Sequence, residues 1–90
     1  MSKRHASHPA IIKRLKRAEG HLHAVIGMFE DGRGCLDLAQ QLHAVENAVA
    51  NAKRTLIHNH IDHCLAAMVQ EDGTAGRELL REFKEVTKYL

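Results

Sequence analysis

Residues 35–69 read CLDLAQQLHAVENAVANAKRTLIHNHIDHCLAAMV, and neither Pro nor Gly interrupts the stretch. Leu38, Leu42, Val45, Val49, Ala52 and Leu56 recur at alternating spacings of four and three, the signature of one apolar helix face. The pattern then slips by one residue to Ile57, Ile61, Cys64 and Met68. The spacing predicts a single helix from about Cys35 to Val69, roughly 50 Å long at 1.5 Å per residue. Two shorter helices cannot cover such a rod in a small monomer, so its stripe predicts contact with other chains. Ala44, Ala48, Ala50 and Ala52 flank Val45 and Val49. Small side chains let helices approach closely, which predicts an antiparallel pair of these helices crossing near Ala48.

Upstream, Ile11, Leu15, Ala18, Leu22, Val25 and Phe29 form a second stripe of the same kind. Ser7 is the expected cap of this helix. Pro9 suits its first turn, where the missing N–H is not needed. Asp31-Gly32-Arg33-Gly34 supplies the exit. Downstream, the segment from Gln70 to Gly76 is read as a break, followed by a short helix with Leu79, Phe83, Val86 and Leu90 on one face. The fold class is therefore all-α, three helices per chain with a long central helix, assembled as an antiparallel helical-bundle dimer. Residues 1–8 are read as a basic, His-containing tail and residues 9–90 as one domain.

Composition agrees. The 90 residues are 44% hydrophobic and 27% charged, with one Pro and only 3% aromatic residues, which excludes disordered and collagen-like chains. No apolar run is long enough for a membrane span, and the start lacks the pattern of a secretory signal. Two cysteines without such a signal predict a reducing cytoplasm, where thiols serve metal or redox chemistry.

Eight histidines point the same way. His60 and Cys64 lie four apart on the predicted central helix and share a face, so they can clamp one metal ion. Cys64 also continues the apolar stripe, and simple packing is a second reading of it. Cys35 lies 25 residues before His60, roughly 37 Å along a continuous helix, so one chain cannot join them. An antiparallel partner can: placing Cys35 opposite the His60/Cys64 turn puts the crossing at residues 48 and 49, inside the alanine-rich stretch. Two thiolates and an imidazole make a soft set suited to Cu(I); a fourth ligand would extend it to Zn(II), Ni(II) or Co(II). Candidates for that ligand are His5, His8, His63 and the N-terminal amine. Cys35 near a helix N-terminus also has the setting of a reactive thiol.

Charge is uneven along the chain. Lys3, Arg4, Lys13, Arg14, Lys16 and Arg17 all precede the first acidic residue, Glu19, although the net charge is only +2. Such a block favours a polyanion, above all nucleic acid. No Ser-His-Asp set, Gly-rich phosphate loop or paired carboxylates suggest an enzyme.

Three segments together, Arg14-Leu15-Lys16-Arg17-Ala18-Glu19-Gly20, Gly32 through Leu42, and His60-Ile61-Asp62-His63-Cys64, resemble the CsoR/RcnR family of bacterial metal-responsive repressors. The resemblance runs from about residue 9 to 90. It implies a disc-shaped all-α tetramer, a dimer of dimers without a helix-turn-helix. The metal-free protein would bind double-stranded operator DNA and release it when metal binds between subunits. Carried onto this chain, the resemblance makes Cys35, His60 and Cys64 the ligands and Arg14 and Arg17 the DNA contacts, with Lys53 and Arg54 in a region that often adds a basic residue. Three positions depart from common family patterns: His21 stands where many members have Gln, Gly34 where copper sensors often have an aromatic residue, and Lys3 where nickel/cobalt members often have His. The expected function is a repressor released by Cu(I), with Ni(II)/Co(II) as the competing effector. A metal-buffering protein without a DNA role and a formaldehyde or reactive-sulfur sensor using Cys35 are the alternatives; His60 and Cys64 argue against the two thiol-sensing subgroups.

Overall fold

The computed structural model describes residues 7–70 and 73–90, with the side chains of 68–70 and 73–75 left aside. Three helices make up the chain: α1 (His8–Glu30), α2 (Cys35–Gln70) and α3 (Gly73–Thr87). Among the described residues there is no strand. The longest dimension of the molecule, 59 Å, reflects α2, which runs unbroken through 36 residues. No helix among the described residues is long and apolar enough to cross a membrane.

Local chemistry sets the helix ends. Pro9 occupies the first turn of α1 as expected. At the other end Gly32 adopts φ +74°. The Gly32 amide donates to the Phe29 carbonyl and the Arg33 amide to the Met28 carbonyl, each at 3.1 Å. That pair of bonds is the Schellman ending, which needs a residue without a Cβ at the left-handed position. Gly34 then accepts the first helical bond of α2 from the Leu38 amide at 3.0 Å.

Other ends differ from expectation. Ser7 sits at the cap position of α1, but its backbone is already helical (φ −77°, ψ −15°) and its side chain makes no capping bond. A capping hydroxyl reaches back to the helix amides only from an extended backbone. The third helix begins at Gly73, so glycines read as a break lie within its first turn. A helix start tolerates them, because packing of the amphipathic face outweighs a propensity cost of about 1 kcal/mol per glycine. Leu90 lies past the end of α3; the last three residues wind on through i→i−3 amide bonds, and Leu90 is exposed.

The two apolar stripes divide into rows. Ile11, Ala18 and Val25 of α1 are buried with Leu38, Val45 and Ala52 of α2, each series spaced by seven. α1 runs antiparallel to α2, as the contacts of Arg14 with Thr55 and His21 with Gln41 require. Beyond Ala52 the buried row shifts to Ile57 and Cys64. This is the one-residue slip seen in the sequence, and α3 lies against this part of α2: Ile57 lines a groove with Val86 and Tyr89, and the Cys64 thiol faces the Leu79 carbonyl. Among the described residues α1 and α3 do not meet. The intervening residues of the stripes, Leu15, Leu22, Phe29, Leu42, Val49 and Leu56, remain 41–53% exposed. Met68, the last residue of the second stripe, has its side chain outside the described set.

Candidate metal centre and nucleic-acid interface

His60 and Cys64 stand on successive turns of α2 beneath α3. His60 Nε2 and Cys64 Sγ are 3.5 Å apart, and the Cys64 thiol also points at the Leu79 carbonyl of α3, 4.0 Å away. Cys64 is 1% exposed. Burial pushes its thiol above the ordinary range, and the negative charge of Glu82 pushes it further. A metal held there would have to displace that proton, since cysteine ligates as the thiolate.

Glu82 is the member of this cluster that sequence reasoning missed. Its Oε1 lies 3.5 Å from His60 Nε2. The donor atoms of His60, Cys64 and Glu82 all lie within 4.8 Å of one another, the only such group of three among the described residues. A signal was present: Glu82 falls three residues after Leu79 and one before Phe83, so it interrupts the apolar face of α3 with a carboxylate.

Cys35 is remote from this cluster within the chain. It opens α2 and is exposed, about 37 Å from His60 by helical rise. Nearby, Arg33 and Asp37 form an exposed ion pair at 3.2 Å, worth little by itself. Of the further ligand candidates, His63 is exposed and His8 half-buried at the start of α1. His5 and the first residues of the expected tail lie outside the described residues.

The basic residues separate into groups. Arg14, Arg17 and His21 recur along one face of α1, at spacings of three and four, and line a groove of about 450 Å³ with Ala18 and with Ala48 and Asn51 of α2. No carboxylate lines it. Arg14 donates to Thr55 Oγ1 at 3.4 Å, and the exposed Arg54 donates to Asn51 Oδ1 one turn earlier on α2. His21 Nε2 and Gln41 Oε1 are 2.7 Å apart and tie the two helices together at one end of it. Lys13 and Lys16 are exposed on α1 outside the groove. Lys53 instead lines an apolar groove between α2 and α3, with Leu56, Ile57, Glu85, Val86 and Tyr89. The arrangement offers two arginines and a histidine to an anion, held on a helix that packs directly against α2, which carries His60 and Cys64.

The chain is similar to known proteins along nearly its whole length. Residues 7–89 match the family model described as metal-sensitive transcriptional repressor. The copper-sensing transcriptional repressor CsoR of Mycobacterium ulcerans (strain Agy99) is 38% identical over 80 residues, covering 89% of this chain and 67% of that protein. CsoR of Bacillus subtilis (strain 168) is 40% identical over 80 residues, covering 87% and 79%. Among solved structures, the copper-sensing repressor CsoR with Cu(I) from Geobacillus thermodenitrificans NG80-2 superposes with a TM-score of 0.79 at 36% identity. It covers 98% of this chain and 91% of that one.

Proposed function

Because the chain belongs to the metal-sensitive transcriptional repressor family, and its relatives are copper-sensing repressors and not enzymes, we propose that it binds operator DNA when metal-free and releases it on binding Cu(I). One observation carries the proposal: a buried Cys64 beside a part-buried His60 lies on α2 while the second thiol, Cys35, stands exposed at the far end of the same helix. An antiparallel second copy brings its Cys35 to this pair, so the ligand set is Cys35 of one subunit with His60 and Cys64 of the other.

The donors fit the ion. Two thiolates and one imidazole are soft ligands, which Cu(I) prefers to carboxylate or water. The exposed row Leu15, Leu22, Phe29, Leu42, Val49 and Leu56 supports the pairing, since it offers an apolar face continuous along α1 and α2. The homodimer is the unit that completes the site; the homotetramer expected from the family would join two such units. The working compartment is the cytoplasm, where Cys35 and Cys64 stay reduced.

Arg14 and Arg17 supply phosphate contacts, joined by Lys13 and Lys16 exposed on the same helix and by Lys53 and Arg54 exposed on α2. Drawing Cys35 toward the neighbouring subunit's ligands moves the start of α2. α1 is tied to α2 through Arg14–Thr55 and His21–Gln41. That movement changes the spacing between arginine grooves on paired subunits, and the phosphate match is lost. Linkage requires Cu(I) and DNA to weaken each other by the same factor.

The test is an anaerobic Cu(I) titration of the reduced protein on its labelled upstream DNA, followed by fluorescence anisotropy. Release is expected at one Cu(I) per subunit, with Cys35→Ala still binding DNA but no longer releasing it. Release by Ni(II) alone would move the protein to the nickel/cobalt branch. Release by formaldehyde or a persulfide without metal would make it a thiol sensor.

A further inference from the structure

His21 stands at the end of the arginine groove with one ring nitrogen already committed. Its Nε2 lies 2.7 Å from Gln41 Oε1. An amide oxygen only accepts, so Nε2 carries the hydrogen of that bond, and a neutral ring then presents a bare lone pair at Nδ1. Toward a phosphate oxygen that lone pair is repulsive, whereas a proton on Nδ1 makes it a charged donor. No carboxylate faces the ring. Arg14 and Arg17 line the groove from the same helix, and the side chains of α2 around it are Gln41, Ala48 and Asn51. Glu19 lies two residues away on α1, about 200° round the helix. Asp37 and Glu46, the acids on this stretch of α2, lie against Arg33 and His43 and do not line the groove. Among the described residues α3 does not meet α1. None of the groove residues belongs to the apolar row assigned to subunit pairing.

We propose that His21, oriented by Gln41, is a third phosphate contact of the arginine groove in its imidazolium form, so that each subunit touching DNA takes up one proton from solvent at Nδ1 and returns it on release. This rests on the reading of the groove as a DNA-contacting surface. The proton moves because a phosphate beside the ring favours the charged form only while DNA is bound. Linkage then makes DNA affinity rise as pH falls through the range in which histidine titrates.

The metal-free, full-length protein is titrated onto its labelled upstream DNA by fluorescence anisotropy between about pH 6 and pH 8, at several salt concentrations. The wild type should gain up to about tenfold in affinity per pH unit for each subunit touching the DNA. Its salt slope should be steeper at the acid end by about 0.9 per such subunit. His21→Gln keeps a side-chain amide for the bond to Gln41 but has no titrating ring, so it should lose that share of the pH dependence and the change in salt slope. The other histidines are common to both proteins, and the difference between them isolates His21. His21→Arg, a permanent cation, should show at the alkaline end the salt slope that wild type shows at the acid end. Calorimetry in two buffers of different ionisation heat counts the protons, with about one more taken up per DNA-touching subunit in wild type than in His21→Gln. A His21→Gln protein whose affinity falls by the same factor at every pH would overturn the proposal and leave the ring as a strut between α1 and α2. So would pH profiles that coincide. Wild-type protein without affinity for DNA at either pH would instead sink the repressor reading itself, and this proposal with it.

Discussion

Replacing Val49 by Glu tests the antiparallel pairing at the point where it is most constrained. Val49 is 47% exposed in the single chain, and the ligand register puts it at the crossing, facing its own copy. Burying a whole valine is worth about 1.5–2 kcal/mol, so covering the exposed half on both subunits contributes about 2 kcal/mol. Two carboxylates about 6 Å apart at an effective dielectric constant near 20 repel by roughly 3 kcal/mol more. The combined loss of about 5 kcal/mol corresponds to roughly three to four orders of magnitude in the dimer Kd. Sedimentation velocity over a wide concentration range reads it directly, with circular dichroism to confirm that the helices remain. Asn47→Glu, exposed and off the stripe, is the control and should stay assembled. Mixing Val49→Glu with Val49→Lys protein should restore association, because the facing pair becomes attractive. A Val49→Glu protein that assembles like wild type would refute the crossing, as would two dissociated variants that fail to combine.

Further outcomes follow from the same geometry. Arg14→Ala with Arg17→Ala should reduce the slope of log affinity against log salt by about 2 for each subunit that touches the DNA, because each phosphate contact contributes about 0.9 to that slope; an unchanged slope in DNA titrations would place the phosphate contacts elsewhere. Ile57→Ala removes a side chain only 3% exposed and should cost about 2–5 kcal/mol in urea unfolding, whereas a loss below about 1 kcal/mol would contradict the packing of α2 there. Gly32→Ala meets no neighbouring atom but must hold φ +74°, so unfolding should show a loss of about 1–2 kcal/mol without any loss of helix. Burial and Glu82 hold the folded Cys64 thiol above its unfolded value. That contribution is complete below the unfolded thiol pKa and is lost as pH rises through the folded one. Metal-free stability should therefore fall above about pH 8.5, and Cys64→Ala should flatten that alkaline limb in urea titrations.

Much of the architecture was legible because it depends on short-range chemistry. The absence of Pro and Gly between residues 35 and 69 predicts one unbroken helix, and α2 spans Cys35–Gln70. Gly32 marks the α1 exit because only its missing Cβ makes φ +74° inexpensive. Less visible were features that compete with local propensity. Gly73 and Gly76 read as a break, yet both lie within α3, whose amphipathic packing against α2 outweighs their cost. Ser7 has the right residue type for a cap but the wrong backbone angles to act as one.

The candidate site divides along the same line. Sequence spacing alone was enough to put His60 and Cys64 on one helical face and to separate Cys35 from them by most of the length of α2, since a continuous helix converts residue number into distance. It also located the slip between Ala52 and Ile57. Only tertiary structure decided what the slip means, by giving Ile57 and Cys64 to α3 and leaving Leu42, Val49 and Leu56 uncovered. It alone brought Glu82 of α3 to His60 of α2, and His21 of α1 to Gln41 of α2. Periodicity records which face of a helix is apolar; which neighbour covers that face depends on how the turns direct the chain, and no residue spacing within a helix encodes that.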